Sequence, residues 1–292
     1  SIIRISQKNK EVISKLMNLI EQNIIHNECS KIFEYYTFIS YGHSDEINNY
    51  LSKNVDLRLL WGGNETIKRF KTYDTKVKCI DLPFPNRTSS AYIDIKYLTK
   101  ASDKELNNIA EGLAKDIFIF SQRACSSPLI IFGNGNQLEG NNFINFLKLV
   151  NKKIEAFKPN PSGFSKLDHF KASSDLSLNI PDNAKPLLIS DYLTVFQVKH
   201  HEVKKLSNYK PLNGCLIYVQ VDGIENILEL ISPNNQTTIL IPFSEKLAKN
   251  IIKILGPLGT HRLVSAGNAI NMHLFWDGYD ILSCLSQNVQ FY

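Results

Sequence analysis

The sequence predicts an α/β protein of two lobes, the first built on a doubly wound parallel sheet. Three observations carry this. Short apolar runs with strand-like alternation exchange regularly with longer runs whose apolar residues recur about every 3.6 positions. The stretches joining successive strand-like runs are long enough to hold a helix, and such crossovers make parallel pairs with helices on the sheet faces. Finally, 292 residues of which 43% are hydrophobic supply core for one large domain or two of ordinary size.

The elements follow in order. The chain opens on IIRIS, which reads as a strand already inside a domain, so the full protein is expected to extend before Ser1. KEVISKLMNLIEQNI reads as helix, YYTFISYG as strand, SDEINNYLSK as helix and VDLRLLWGG as strand; NETIKRFKTY and KVKCIDL add one more of each. In DKELNNIAEGLAKDIFIF, Leu106, Ile109, Leu113, Ile117 and Phe120 fall on one helical face, and PLIIF soon after is a short buried strand. NNFINFLKLVNKKIEAF is a further helix, whereas residues 158–187 are polar, proline-rich and without a period, which predicts surface loop. The last third supplies the strands LTVFQV, GCLIYVQV and TTILIPF and the helix SEKLAKNIIKIL, then closes on GPLGTHRLVSAGNAINMHLFWDGYDIL. The expected boundaries are 1–98 for the first lobe, 99–255 for the second, and 256–292 for a segment returning to the first.

Charge and composition exclude several classes. The net charge of +5 is spread over KNK, KLVNKK and VKK rather than gathered with aromatics in one stripe, so nucleic acid is not an expected partner. Five cysteines, at 29, 79, 125, 215 and 284, are odd in number and show no CxxC pair, which predicts reduced thiols and a cytoplasmic protein. No apolar run reaches the roughly 18 residues that span a bilayer, and no charged start leads into an apolar stretch as in a secretory signal. His200 and His201 are adjacent and would face opposite sides of a strand, so no metal site is expected. His43, His261 and His273 read as packed or surface histidines rather than general acids.

Three stretches bear on chemistry. FSQRACSSP, residues 120–128, sets Cys125 in a turn between helix and strand. The local residues leave two readings open, a reactive thiol and a small core residue. A helix C-terminus raises a thiol pKa, so activation would have to come from Arg123, from the amides of Ser126 and Ser127, or from a bound cofactor. LLWGGNETI, residues 59–67, ends a strand in Gly62–Gly63 and begins a helix, where free amides suit a pyrophosphate and glycines equally suit a tight turn. GNGNQLEGNN, residues 133–142, has Leu138 where a dinucleotide fingerprint wants its third glycine and lacks the Lys of a P-loop, so it reads more simply as a turn.

Taken in order, IIRIS, YGHSDEINNYLSKNVDLRLLWGGNETI, SQRACSSP, THRLVSAGNA and FWDGYDIL resemble the LuxC-type long-chain acyl-CoA reductases, the fatty-acid reductase branch of the aldehyde dehydrogenase superfamily. The resemblance implies an aldehyde-dehydrogenase-like fold: a Rossmann-type cofactor lobe, incomplete at its N-terminus, and an α/β catalytic lobe. It implies reduction of a fatty acyl-CoA or acyl-protein thioester to aldehyde, with Cys125 as the acylated nucleophile. It also implies a homo-oligomer and a partner synthetase that exchanges acyl groups. Arg4 stands where aldehyde dehydrogenases usually place a lysine near the adenosine ribose, and Gln7 where NAD-preferring relatives often carry a glutamate. With Ser6 between them and Gly62 and Gly63 at the pyrophosphate turn, these are the implied cofactor contacts. A neutral Gln7 does not repel a 2′-phosphate, so NADPH is the implied cofactor. Ile67 replaces a later helix glycine of the superfamily.

The water-activating glutamate of oxidative dehydrogenases has no counterpart in LPFPNRTSS at 82–90, and neutral residues at KPLNGCLIY replace a second glutamate that grips the nicotinamide ribose. A reductase must keep water from its acyl-cysteine, so the first absence fits. With the upstream part of the family's pattern either before Ser1 or lost, only the Cys125 amide is proposed for the oxyanion. Phe275 and Trp276 would line an acyl tunnel or pack between lobes. An acyl-carrying subunit without redox activity and an aldehyde-oxidising dehydrogenase are the alternative functions.

Overall fold

The computed structural model describes residues 1–24, 30–135, 140–157, 163–206, 209–231, 233–287 and 290. By its internal contacts the chain divides into two compact units, Ser1–Pro85 and Asn86–Tyr292.

In the first unit, strands and helices alternate throughout: β1 (Ile2–Arg4), α1 (Lys10–Ile24), β2 (Thr37–Ile39), α2 (Asp45–Asn54), β3 (Leu57–Trp61), α3 (Asn64–Phe70) and β4 (Ile80–Phe84). The helix starts follow side-chain chemistry. Ser44 caps α2 by accepting the Ile47 N–H at 3.2 Å. The strands form two separate parallel ladders, β1 with β2 and β3 with β4, rather than one continuous sheet. Arg58, on β3, is buried and holds the second ladder to its helices. It makes two 2.7 Å bonds to the Asp81 carboxylate on β4 and donates to Ser52 Oγ of α2 and to the Phe70 carbonyl that ends α3.

The second unit centres on seven strands in the order β11-β10-β5-β6-β9-β8-β7. These are β5 (Thr88–Asp94), β6 (Ile130–Asn134), β7 (Lys185–Ile189), β8 (Thr194–Gln197), β9 (Cys215–Val221), β10 (Asn235–Ile241) and β11 (Arg262–Ser265). All pair in parallel except the edge strand β7, which runs antiparallel to β8. Alternation sorts the sheet's side chains into two cores. Ala91, Ile93, Ile131, Leu216, Ile239 and Ile241 face one, Tyr92, Phe132, Ile217, Val219 and Leu240 the other. The first core is covered by α4 (Ile95–Lys100), α5 (Asp103–Phe118) and α6 (Gly140–Ala156), through residues such as Leu113, Ile117 and Leu147. The second is covered by α7 (Lys166–Asn179) and α8 (Glu245–Leu255), through Leu176, Ile251 and Leu255. A hairpin of β12 (Phe275–Trp276) and β13 (Tyr279–Asp280) and a short α9 (Ile281–Cys284) follow.

Several elements differ from the sequence expectation. The contact boundary falls at Pro85, not residue 98, because β5 pairs with β6 and β10 deep in the second sheet. Residues from 256 onward belong to the same unit, since β11 pairs with β10. The stretch read as loop over 158–187 contains α7 and the start of β7; α7 is opened by a capping box in which Ser165 and Asp168 bond each other's backbone N–H. Phe120 does not continue the α5 core face. The helix ends at Phe118, and Phe120 is exposed.

Candidate active site

Cys125 is held by an unusual stretch of backbone. Phe120, Ser121 and Gln122 have φ of 56°, 54° and 61°, three left-handed residues in a row with no glycine among them. Each such residue costs about 1–2 kcal/mol, so the segment persists only because its surroundings over-determine it. The Gln122 carboxamide does this. Its side chain is buried, donates to the Pro128 and Cys215 carbonyls at 2.8 and 2.9 Å, and accepts the Gly214 N–H at 2.8 Å. The loop before β6 is thereby stitched to the start of β9. Next, the Ser127 N–H donates to the Ala124 carbonyl, and the Cys125 carbonyl accepts Ser89 Oγ at 2.7 Å. Ser89 Oγ in turn accepts the Thr237 N–H at 3.2 Å. Cys125 thus lies at the N-terminal edge of the sheet, before β6 and against the first residues of β5 and β10.

Burial pushes the Cys125 thiol above its ordinary pKa, and the Asp277 carboxylate pushes it further in the same direction. Its own N–H, the Gln236 carboxamide and the Arg262 guanidinium oppose them. Burial wins, so Cys125 rests as a thiol near neutral pH. Arg262 lies 4.3 Å over the Trp276 ring and donates to the Ala269 and Asn271 carbonyls at 3.0 and 2.9 Å. Those carbonyls belong to a turn that α5 holds in place. The Asp116 carboxylate accepts the Gly267 and Ala269 N–H groups at 2.7 and 3.1 Å. Gly112, one helical turn before Asp116, permits this contact, since a Cβ there would stand 2.6 Å from the Ala266 carbonyl. Asp277 in turn pairs with Arg87 at 2.9 Å, and Arg87 Nη2 donates to the Gly259 carbonyl and lies 3.0 Å from His261 Nδ1.

Asp277 and Gly278 form the two-residue turn between β12 and β13. Both have positive φ, 51° and 84°, the requirement of a type I′ hairpin. The WDG of the sequence is therefore a turn that aims a buried carboxylate.

The sequence-expected residues fall as follows. Arg123 is exposed and its charge acts on Asp168; it is not among the groups acting on Cys125. The Ser127 amide is spent on Ala124. Trp276 is buried beneath Arg262, whereas Phe275 is exposed. In the first unit, Arg4 ends β1 and its guanidinium lies 4.6 Å over the Tyr41 ring. Ser6 and Gln7 form the turn after β1, and a Cβ on Gly42 would stand 3.8 Å from Gln7 Nε2. Arg4, Gln7, Tyr41 and Gly42 therefore cluster beyond the C-terminal ends of β1 and β2. Gly62 and Gly63 follow β3, where the Gly62 N–H bonds the Phe84 carbonyl and Gly63 precedes the first residue of α3. Residues 136–139 of GNGNQLEGNN and Cys29 lie outside the described residues. Among the described residues no group of three or more His, Cys, Asp and Glu is placed to hold a metal, and no helix is long and apolar enough to cross a membrane. Gln122, Gln236, Arg87, Asp116, Arg262 and Asp277 were not singled out by sequence. Gln122, Arg262 and Asp277 lie in the stretches that carry the resemblance, and Asp277 also had a local signal, the Asp-Gly pair of a hairpin.

A family model described as acyl-CoA reductase (LuxC) matches residues 1–287. The long-chain acyl-protein thioester reductase of Photorhabdus laumondii subsp. laumondii is 23% identical over 227 residues, 74% of this chain and 42% of that protein. The chain thus spans less than half the length of this curated relative. Among solved structures, proline utilization A of Bradyrhizobium japonicum superposes with a TM-score of 0.62 at 10% identity, covering 94% of this chain and 28% of that one. The glyceraldehyde-3-phosphate dehydrogenase GapN of Methanocaldococcus jannaschii, complexed with NADP, gives 0.56 at 14% identity, covering 93% and 59%. An NAD-dependent aldehyde dehydrogenase of Burkholderia multivorans gives 0.53 at 10% identity, covering 82% and 46%. These likenesses establish an aldehyde-dehydrogenase fold, and with the match over 1–287 the chain belongs to the acyl-CoA reductase (LuxC) family.

Proposed function

We propose that the protein reduces a fatty acyl thioester, acyl-CoA or acyl-protein, to an aldehyde through an acyl-cysteine at Cys125, with NADPH as reductant. The observation that carries this is the setting of Cys125: a partly buried thiol fixed by Gln122 and Ser89, facing a carboxamide and a guanidinium, with the nearby Asp277 carboxylate committed to Arg87. Such a site suits acyl transfer and keeps a water-activating base out of reach.

The steps balance as follows. The Cys125 sulfur forms a bond to the acyl carbonyl, the carbon–sulfur bond to the donor breaks, and the proton lost by Cys125 ends on the departing thiolate. The reductant would be NADPH, held by Arg4, Ser6, Gln7, Gly62 and Gly63, and its chemistry would be delivery of a hydride to that carbonyl carbon. Collapse of the resulting Cys125 thiohemiacetal oxyanion then frees the aldehyde and the Cys125 thiolate, which takes a proton from solvent to return to the thiol. The Cys125 N–H is the proposed donor to the carbonyl oxygen as charge develops on it.

The first unit fits a nucleotide with a 2′-phosphate. Arg4, exposed, and Gln7, neutral, stand beyond the C-terminal ends of parallel strands, where α/β sheets bind such ligands. Ser6, Gly62 and Gly63 complete the proposed contacts. A partner synthetase is the proposed source of acyl groups.

The test supplies medium- and long-chain acyl-CoA to the full-length protein and follows NADPH absorbance, with Cys125→Ser beside it. Consumption that Cys125→Ser abolishes supports the proposal. Stable acylation of Cys125 with no NADPH oxidation would instead make this an acyl-carrying subunit.

A further inference from the structure

His169 lies in the first turns of α7, with 2% of its surface exposed. The capping box of Ser165 and Asp168 fixes where that helix begins, and the His169 N–H donates to the Ser165 carbonyl at 3.0 Å. The ring faces the turn that leads into β9. Its Nδ1 lies 2.6 Å from the Asn213 carbonyl oxygen, and its Nε2 lies 3.1 Å from Thr194 Oγ1. A carbonyl only accepts, so Nδ1 carries the proton and Nε2 is left to accept the Thr194 hydroxyl. Ser173 Oγ, 3.0 Å from Thr194 Oγ1, completes the chain. Burial holds the His169 pKa below its ordinary value, in keeping with a neutral ring.

The turn that His169 meets is built on left-handed backbone. Asn213 and Gly214 have φ of 53° and 83°, and the Cys215 N–H donates to the Leu212 carbonyl at 3.1 Å, as in a type I′ turn. Its second position requires glycine, because a Cβ on Gly214 would stand 2.1 Å from the Tyr192 carbonyl oxygen. The peptide between Asn213 and Gly214 is gripped at both ends. Its carbonyl is bonded by His169, and its N–H donates to Gln122 Oε1 at 2.8 Å. A peptide is planar, so one end cannot turn without the other. The same Gln122 carboxamide donates to the Pro128 and Cys215 carbonyls, and residues 122 and 128 bracket Cys125.

We infer that His169 is a positioning residue for Cys125: by bonding the Asn213 carbonyl it sets the peptide that anchors Gln122, and through Gln122 the loop that carries the thiol. This inference rests on the reading of Cys125 as the acyl acceptor. An imidazole suits the task because it holds a donor and an acceptor on opposite edges of one rigid ring, here stacked against Phe164 with 6.1 Å between ring centroids. His169 exchanges no proton with the reaction.

The test compares His169→Asn with His169→Gln in the full-length protein. The asparagine carboxamide places a donor where Nδ1 stands and keeps the bond to Asn213 while losing Thr194. The glutamine carboxamide places an acceptor where Nε2 stands and keeps Thr194 while losing Asn213. Each variant gives up one buried hydrogen bond, so both melt below the wild type. Only His169→Gln releases the loop. Its kcat for acyl-CoA reduction by NADPH falls about tenfold with KM unchanged, and iodoacetamide alkylates its Cys125 peptide about threefold faster, read by mass spectrometry. His169→Asn stays close to the wild type in both. Variants that move alike, or that both behave as the wild type, would overturn the inference, since a role in packing alone does not tell the two edges of the ring apart. If one variant does not fold, the other decides: such a loss in His169→Asn, or none in His169→Gln, overturns it as well. A wild-type chain that oxidises no NADPH sinks the reductase reading, and the alkylation rates then decide whether His169 holds the Cys125 loop.

Discussion

The Asp277 carboxylate lies 2.9 Å from Arg87 Nε, and the two side chains are 4% and 11% exposed. Its charge nonetheless reaches Cys125 and disfavours the thiolate. Asp277→Asn removes that charge, so the thiol pKa falls and Cys125 alkylates faster at pH 7, by about threefold, half a pH unit. Arg87 loses its counter-ion in a buried site, so stability falls too, by about 3 kcal/mol. Alkylation kinetics across pH beside a denaturant melt check both. A midpoint that rises would mean that Asp277 orders the site more than it charges it.

Gln122 predicts a different signature. Gln122→Ala leaves the Pro128 and Cys215 carbonyls and the Gly214 N–H without the partner they share, inside the protein. The expected loss is about 2–4 kcal/mol in a urea melt. The left-handed run at 120–122 also loses its clamp, so hydrogen exchange at residues 121–127 quickens more than in the β6–β9 ladder. Equal quickening in both would show global destabilisation without a local hold.

Asp116 titrates on the scale of cellular pH. Burial raises its pKa from 3.8 to about 6 against the pull of the Gly267 and Ala269 N–H groups. Because the folded value exceeds the unfolded one, the folded chain binds the extra proton between them. Stability from this group is full below about pH 4 and is lost as pH rises through 6, on the order of 3 kcal/mol in all. Asp116→Asn cannot titrate, so its unfolding midpoint is flatter between pH 4 and 7 than the wild type's. Parallel curves would exclude Asp116 as the titrating group.

How much of this was legible depended on what each residue's neighbours are. The order β1 to β4 with its three helices could be read because apolar period and turn residues agree locally. β5 could not. Its TSSAYID shows no apolar alternation because the hydroxyls are satisfied by partners far along the chain, Ser90 by Thr238 and Ser89 by the Cys125 loop. α7 was missed because few of its residues are apolar, though the Ser165 and Asp168 of its capping box were on view. At the site, Cys125 stood out by residue type alone. Gln236 and Arg262 did not, since they reach it only when β10 and β11 are laid beside β5, a pairing no local pattern announces.

The proposed cofactor preference turns on one amide. Gln7 and Arg4 stand beside Gly42 and Tyr41, beyond β1 and β2. Gln7→Glu places an anion of the same shape there, which repels a 2′-phosphate and accepts from a 2′-hydroxyl. NADPH affinity therefore falls about tenfold, some 1.4 kcal/mol, while NADH affinity holds or improves. Arg4→Gln weakens NADPH in the same sense without the gain for NADH, because it removes attraction and adds no acceptor. Fluorescence titration with each nucleotide, on protein without acyl donor, separates these outcomes from any effect on Cys125. A Gln7→Glu protein that binds both nucleotides as the wild type does would place the 2′-phosphate elsewhere in the first unit.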